Sequence, residues 1–203
     1  MRSTDTHIAA RARQVIAALC ICISLSAQVT DRDLFDAYQH EDMTVWKGYI
    51  DSLSTFNFQL SALLYEYGYC GYIVSADKEA AKPYVRRFKE HIEAQKTSLP
   101  KGHYEMWMSA VLVFELRLKE SIHPIKAMSL AKEATKLAPS DPVVLSYYGT
   151  CLFYAPKPFG SKSEALEWFE AAQARFGGDE WKYSWLREAN EMYINQCREK
   201  LKK

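Results

Sequence analysis

The sequence predicts an all-α protein built from antiparallel helical hairpins. Three observations support this. After residue 30, apolar residues recur at steps of three and four, which is the spacing of one face of an α-helix. No stretch alternates apolar and polar residues in the way a half-buried strand does. The chain contains only 8 glycines and 7 prolines, which suits a helical protein better than a loop-rich one.

Composition excludes several classes of protein. The chain has 203 residues, of which 48% are hydrophobic and 25% charged, as in an ordinary globular protein with one sizeable core. The net charge is only +1, so no overall field favours nucleic acid or a membrane surface. The one short basic cluster, Arg86, Arg87 and Lys89, is small enough to be a solvated helix face.

Residues 1–27 have the pattern of a secretory signal peptide. Arg11 and Arg13 precede an apolar run from Val15 to Leu25, and small residues follow it. The run of about 11 residues is far shorter than the ~20 needed to span a bilayer. We therefore expect export to a bacterial periplasm or beyond the cell, with residues 28–203 forming one domain. A lipid anchor at Cys20 and a buried amphipathic N-terminal helix remain alternatives.

The periodic stretches and their stop signals define the helices in order. Thr30 or Asp31 is expected to cap the first helix, and Ser75 or Asp77 the third, in which Pro83 predicts an irregular or late start. Pro142 fits a first helical turn, and Ser161 or Ser163 can cap the next helix. The predicted helices occupy 31–53, 54–75, 75–102, 104–122, 123–139, 142–155, 161–178 and 179–203.

Two of these helices carry the same pattern of small residues. Ala127, Ala131, Ala134 and Pro139 follow one another at steps of four, three and five, and the same steps join Ala165, Phe169, Ala172 and Gly177. Small side chains at this spacing allow a partner helix to approach closely. Upstream of the second set, Tyr148–Gly149 supplies a bulky residue and then a small one at the expected contact.

This arrangement resembles the tetratricopeptide repeat (TPR). The best units are 104–139 and 142–178, and the resemblance covers roughly residues 55–178. A third unit is degenerate, with Leu64, Tyr67, Gly68, Ala80 and Tyr84 in place but Arg87 where the family has alanine. The resemblance implies a short right-handed superhelix of stacked hairpins, here with extra helices at 31–53 and 179–203.

The resemblance also implies a partner-binding groove lined by the first helix of each hairpin. Carried over residue by residue, the groove residues are Tyr65, Tyr69, Tyr72, Leu112, Leu116, Lys119, Ser146, Thr150 and Phe153. An aromatic groove can hold an extended peptide or a helix. Two alternatives stay open: these aromatics belong to the core, or the terminal helices fill the groove.

The turn within the last unit is longer than in a standard repeat. Pro156 and Pro158 end the first helix and hold the connection extended, and Gly160 permits the chain to reverse. Lys157 and Phe159 then form either a partner-contacting edge or, for Phe159, a plug at the end of the hairpin.

The sequence shows no catalytic, cofactor-binding or metal-binding motif. His40, His91, His103 and His123 are expected at the surface or at helix caps. Glu115 is expected to be buried and paired with Arg117, Lys119 or a neighbouring helix. After the signal peptide the cysteines are Cys70, Cys151 and Cys197, which are expected to be small buried apolar residues that form at most one bridge.

The leading hypothesis is therefore a non-enzymatic, exported scaffold that binds a protein or peptide, with no cofactor, no metal and no nucleic acid. The alternative is a small-molecule-binding protein or enzyme with a pocket between the aromatic helices 55–72 and 104–119. A third hypothesis is a structural subunit that dimerises through its terminal helix. The sequence names neither the partner nor the oligomeric state.

Overall fold

The computed structural model describes residues 29–53 and 60–202, and the part of the chain it describes is all-α. The predicted signal peptide with Cys20, and the first residues of the predicted helix 54–75, lie outside these residues. The described segments contain nine α-helices, one 3-10 turn at Asp179–Trp181 and no strand. The helices are α1 Asp31–Gln39, α2 Met43–Ser52, α3 Ala62–Ala76, α4 Lys78–Ala94, α5 His103–Leu118, α6 Pro124–Leu137, α7 Pro142–Tyr154, α8 Lys162–Gln173 and α9 Trp185–Leu201.

The single helix predicted for residues 31–53 is two helices in the structure. Thr30 caps α1 with a reciprocal capping box to Asp33, as the sequence suggests. The chain then turns at Glu41, whose φ is +56°, and the Asp42 carboxylate accepts a hydrogen bond from the Thr44 N–H to begin α2. This local cap ends the first helix, because Ser, Thr, Asp and Asn compete with the helical backbone for hydrogen bonds.

Other helix boundaries also differ from the prediction, and helix α8, predicted to reach 178, ends at Gln173. Helix α4 begins at Lys78, directly after its Asp77 cap, with Pro83 inside it, and it ends at Ala94 rather than near Pro100. Helix α5 ends at Leu118 rather than at 122, because Lys119 adopts a left-handed φ of +62° and terminates it. The predicted helix 179–203 is the 3-10 turn followed by α9.

The helices pack in sequence-adjacent pairs that form three hairpins: α3–α4, α5–α6 and α7–α8. The first helices of successive hairpins also touch, α3 against α5 and α5 against α7. Helix α9 packs on α8 and α7 and reaches α1, while α2 packs on α3. The two ends of the described chain therefore meet beside the first hairpin.

The small-residue pattern predicts the contacts in the last two hairpins. Ala127, Ala131 and Ala134 are buried in α6, as are Ala165, Phe169 and Ala172 in α8. A Cβ on Gly149 would lie 2.9 Å from the Phe169 ring, so glycine allows the ring to sit against the helix.

In the first hairpin, the residues assigned to this pattern are one position too early. Helix α4 buries Ala81, Val85 and Phe88, which keep the steps of four and three, whereas Ala80 is exposed and Tyr84 is half-buried. Phe88 occupies the buried position that the repeat pattern gives to alanine. Arg87 therefore does not replace a core residue.

No helix in residues 29–53 or 60–202 is long and apolar enough to cross a membrane. Cys70, Cys151 and Cys197 are free thiols, and Cys70 and Cys197 are buried. Burial raises the pKa of the Cys151 thiol to about 12, so this thiol stays protonated at neutral pH.

Candidate functional site

A cleft of about 360 Å³ opens where the two ends of the described chain meet the first hairpin. We call it the aromatic cleft. Helices α1, α2, α3, α9 and the α1–α2 turn all contribute to it. Its lining residues are Tyr38, Glu41, Met43, Trp46, Gly68, Tyr72 and Trp185.

The floor of the aromatic cleft depends on Gly68. A Cβ there would lie 2.5 Å from the Trp46 ring and 2.9 Å from the Trp185 ring, so only glycine lets both indoles reach helix α3. The two indoles pack edge to face, with ring centroids 5.5 Å apart. The Tyr38 ring stacks on Trp46 at 6.1 Å and lies 5.8 Å from Trp185.

The walls of the aromatic cleft are more exposed than its floor. Tyr72 lies one helical turn after Gly68 on α3, and its side chain is 47% exposed. Glu41 stands in the α1–α2 turn and is exposed. The cleft thus combines a rigid aromatic floor with an accessible tyrosine and a carboxylate.

The two indole N–H groups of the floor are used differently. Trp46 Nε1 donates to the Leu34 carbonyl oxygen at 2.6 Å, which fixes α2 against α1. Trp185 is only 7% exposed, and its buried Nε1 has no acceptor among the described residues. An unsatisfied buried donor costs roughly 1–3 kcal/mol, which makes it a feature to be explained.

The acidic side of α9 continues from one edge of the aromatic cleft. Gln39, next to Tyr38, donates from Nε2 to Glu188 Oε1 at 3.1 Å, and Glu188 lies three residues after Trp185. Burial, and then the Glu188 carboxylate, raise the pKa of the Tyr38 hydroxyl. A shallow depression follows along the same helix side, lined by Glu188, Glu191, Met192, Asn195, Gln196 and Glu199.

The predicted groove residues do not form one surface. Tyr65, Tyr69, Ser146 and Phe153 are buried, so for these four the core alternative applies. Leu112, Leu116 and Thr150 are half-buried, and Lys119 is exposed at the end of α5. Of the whole set, only Tyr72 lines the aromatic cleft.

The terminal helices explain why two of these four residues, Tyr65 and Phe153, are buried. The Tyr65 ring packs edge to face on Trp46 and Tyr49 of α2, and its hydroxyl donates to Asp31 of α1 at 2.9 Å. Phe153 packs on Tyr193 of α9 with ring centroids 5.3 Å apart. These added helices cover the faces that the family pattern assigns to a groove.

The α7–α8 turn is open to solvent. Phe159 is 57% exposed, so it does not plug the hairpin end, and Lys157 beside it is also exposed. Gly160 is required here, because a Cβ would clash with the backbone carbonyl of Ala155. The turn remains a second exposed aromatic edge, separate from the aromatic cleft residues.

A buried charged cluster joins α2, α3 and α4. Glu66 is buried, and its Oε2 lies 2.9 Å from His91 Nδ1, so His91 is neither a surface nor a capping residue. Arg87 Nε lies 3.7 Å from Glu66 Oε1, and Arg87 also approaches Asp51 at 3.6 Å. These contacts connect the three helices. They also give Arg87 and His91, the inward-facing charged and titratable residues of α4, partners on α2 and α3.

Two further titratable groups singled out in the sequence, Glu115 and His103, have structural partners. Glu115 pairs with Lys89 of α4 at 3.0 Å, which is the neighbouring-helix alternative. His103 Nε2 lies 2.9 Å from Asp141, the cap of α7. Within residues 29–53 and 60–202, no three His, Cys, Asp or Glu side chains gather as a metal-binding group.

The alternative pocket was expected between helices 55–72 and 104–119. In the structure, rings fill that interface: Tyr67 packs on Trp107 at 5.5 Å and on Phe114 at 5.8 Å. The aromatic cleft lies instead where α3 meets α2 and α9. The sequence feature that could have indicated this cleft is the presence of Tyr38, Trp46 and Trp185 in the terminal helices.

Comparison with known proteins gives no match, since no family model, no curated protein and no solved structure matches this chain.

Proposed function

We propose that this chain is an exported, non-enzymatic, TPR-like helical scaffold that binds a peptide segment of a partner protein in the aromatic cleft. The observation that carries the proposal is the cleft itself: an aromatic floor fixed by buried packing, with an accessible tyrosine at its wall. Tryptophan and tyrosine are the residues that most often dominate the energy of protein interfaces.

A peptide segment fits the site better than a compact small molecule. Trp185 of the aromatic cleft lies three residues before Glu188, which lines the depression on α9, so an extended ligand could contact both. The volume of the aromatic cleft lies near the lower end of the ~300–1,000 Å³ typical of small-molecule pockets, enough for one or two side chains.

The order of helix contacts supports a TPR-like arrangement. Three sequence-adjacent hairpins follow one another, and their first helices touch in succession. The N-terminal pattern of basic residues, an apolar run and small residues supports export to a periplasm or to the outside. In this proposal the terminal helices α1, α2 and α9 move the binding site from the family groove to the aromatic cleft.

The test is a crosslinking pull-down from the native cell envelope with the full chain and two variants. Tyr72→Ala removes the exposed ring of the aromatic cleft, and Phe159→Ala removes a comparably exposed ring in the α7–α8 turn. Circular dichroism melts first establish that both variants are folded. We expect a partner that the parent and Phe159→Ala capture and that Tyr72→Ala loses.

Other outcomes of the pull-down are equally informative. A partner lost only by Phe159→Ala would move the site to the turn, and a partner held equally by all three proteins would exclude the aromatic cleft. Absence of any partner would overturn the scaffold proposal and favour the small-molecule alternative, whose signature would be a ligand-dependent change in Trp46 and Trp185 fluorescence.

A further inference from the structure

We infer that the peptide segment bound by the aromatic cleft is basic, with one lysine or arginine side chain seated against the aromatic floor and further cations along α9. The inference rests on the proposed function and names the chemistry of its partner. Three observations lead to it: the charge of the surface, the proximity of two depressions, and aromatic faces that the chain leaves without a cation.

The lining of both depressions carries only negative charge. Glu41 is the one charged residue that lines the aromatic cleft, and Glu188, Glu191 and Glu199 line the depression on α9. The basic residues near the end of α9 point elsewhere, since Arg198 pairs with Glu170 at 2.8 Å and Lys200 lies over the Phe153 ring. Complementary charge favours a cationic partner and speeds its association.

The two depressions are lined by neighbouring parts of α9. Tyr38 and Trp185 lie in the aromatic cleft, while their neighbours Gln39 and Glu188 are hydrogen-bonded to each other at its edge. From Glu188 the acidic residues Glu191 and Glu199 follow the same side of α9, because their steps of three and eight residues return to one helix face. A segment that enters the aromatic cleft can continue along this face.

The chain supplies its own cations to several other aromatic rings. Lys96 Nζ lies 4.3 Å from the centroid of Tyr104, and Lys162 Nζ lies 3.8 Å from that of Phe153. Arg87 covers Tyr84 in the same way, and Arg32 and Lys182 lie over Tyr183.

The aromatic cleft differs from these sites. Among the described residues, no lysine or arginine lies over the rings of Tyr38, Trp46, Tyr72 or Trp185. An accessible aromatic ring beside a carboxylate attracts a cation through the ring quadrupole, and Tyr72, at 47% exposure, is the most exposed ring of the cleft. The site therefore has the chemistry of a cation-binding aromatic surface whose cation comes from another molecule.

The inference is tested with three pools of random twelve-residue peptides displayed against the immobilised full chain. One pool contains lysine and arginine with neutral residues, one contains aspartate and glutamate with neutral residues, and one is uncharged. We expect enrichment only from the basic pool. Citrulline, which keeps the shape of arginine without its charge, then replaces each arginine of the best binder, and we expect affinity to fall about tenfold at the seated position.

Matched variants test whether the basic peptide binds at the aromatic cleft and along α9. Glu41→Gln and Glu188→Gln should each weaken the best basic peptide severalfold and reduce its salt dependence, whereas Glu167→Gln, an exposed glutamate of α8, should not. Tyr72→Phe should retain affinity, because the ring face remains, and Tyr72→Leu should lose it. Glu41, Glu167 and Tyr72 are exposed and Glu188 is half-buried, and thermal melts first establish that every variant is folded.

Defined outcomes would overturn the inference. Enrichment from the acidic or uncharged pool, or equal affinity of the citrulline peptide, would leave the scaffold proposal standing and exclude a basic partner. If no pool is enriched, the inference fails, and the pull-down with Tyr72→Ala decides separately whether the scaffold proposal fails too. A version starting at Gln28 is measured beside the full chain, since tighter peptide binding by it would identify the chain's own basic N-terminal segment as a competitor and support the inference.

Discussion

The first and last hairpins use the same pair of residues in opposite ways. Tyr67–Gly68 on α3 and Tyr148–Gly149 on α7 are matched in the repeat pattern. Gly149 receives Phe169 from the second helix of its own hairpin. Gly68 receives Trp46 and Trp185, which come from helices near the two ends of the described chain.

This difference shows how one of several successive hairpins can come to line a cleft. The last hairpin fills the space over its glycine internally, so nothing else needs to enter it. The first hairpin leaves that space to outside residues, and the indoles that fill it become the floor of the aromatic cleft. A weak repeat match can therefore mark the place where added helices dock.

The second helices of the two hairpins account for the difference. Phe169 of α8 is fully buried and stacks on Tyr193 at 5.1 Å. The residue matched to it in α4 is Tyr84, which is only half-buried and lies against Tyr69 and Arg87. The buried positions of helix α4 lie one residue later in the sequence than the repeat pattern predicts. The Tyr84 ring therefore does not reach Gly68.

The largest expected effect separates these two rings. Phe169→Ala should lower the free energy of unfolding by about 3–5 kcal/mol, because it opens a cavity in a fully buried position. Tyr84→Ala should cost only about 1 kcal/mol, since it loses one aromatic pair at a half-buried site. Urea denaturation of both variants measures the difference, and equal losses would contradict the contrast between the hairpins.

The next effect compares two glycines of the same helix. Gly68→Ala should destabilise the protein by about 1–3 kcal/mol, because its Cβ would overlap the rigid rings of Trp46 and Trp185. Gly71→Ala has no atom within 4 Å of its Cβ and should stabilise the helix by up to ~1 kcal/mol. Thermal melts measure both, and a neutral Gly68→Ala would mean that the indoles do not depend on this close approach.

A smaller effect compares how the two hairpins begin. Asp141 caps α7 through the N–H groups of Val143 and Val144, whereas Ser61 makes no side-chain cap at the start of α3. Asp141→Ala should cost about 0.5–2 kcal/mol and Ser61→Ala almost nothing. Denaturation at pH 7 tests this pair, and similar losses would remove the distinction.

The Asp141 effect should also depend on pH. Burial alone would raise the pKa of Asp141, but the hydrogen bond and charge of His103, with the two backbone donors, outweigh it and lower the pKa below 3.8. A lowered carboxylate pKa gives stabilisation that is full above 3.8 and lost as the pH falls through the folded-state pKa. The gap between the parent and Asp141→Ala should therefore shrink in acid, and a constant gap would argue against the ion pair.

The smallest effect concerns the middle hairpin, α5–α6, which lies between the first and last hairpins. Lys119 ends α5 with φ of +62°, a conformation that costs a side-chain-bearing residue roughly 1 kcal/mol and glycine almost nothing. Lys119→Gly should raise the free energy of unfolding by up to this amount, while Lys119→Ala should not. A loss of stability in Lys119→Gly would mean that the lysine side chain makes a contact that outweighs the backbone cost.

Several helix starts and many buried positions could be predicted from short stretches of sequence. Thr30, Asp77 and Ser161 cap their helices at the expected places, because a cap involves only neighbouring backbone groups. The small-residue steps in α6 and α8 also correctly identified buried positions, since close helix contact requires small side chains wherever it occurs.

The break at Glu41 and the position of α4 could not be read in this way. The apolar spacing of residues 31–53 suits one long helix, and only the cap at Asp42 opposes it. In α4, both Ala80–Tyr84 and Ala81–Val85 keep the required step, so the sequence pattern allows two rotations of the helix. Packing against Trp107 and Phe114 through Phe88 selects one of them.

The sequence alone predicts that this chain is helical, where most of its helices begin, and which apolar side chains are candidates for burial. Which helices bury those side chains depends on the tertiary structure. Tyr65 and Phe153 became core and Tyr72 stayed open because α1, α2 and α9 fold back over some faces and not others. The aromatic cleft unites residues 38, 72 and 185, and periodicity, which reports one helix at a time, carries no information about contacts between such distant positions.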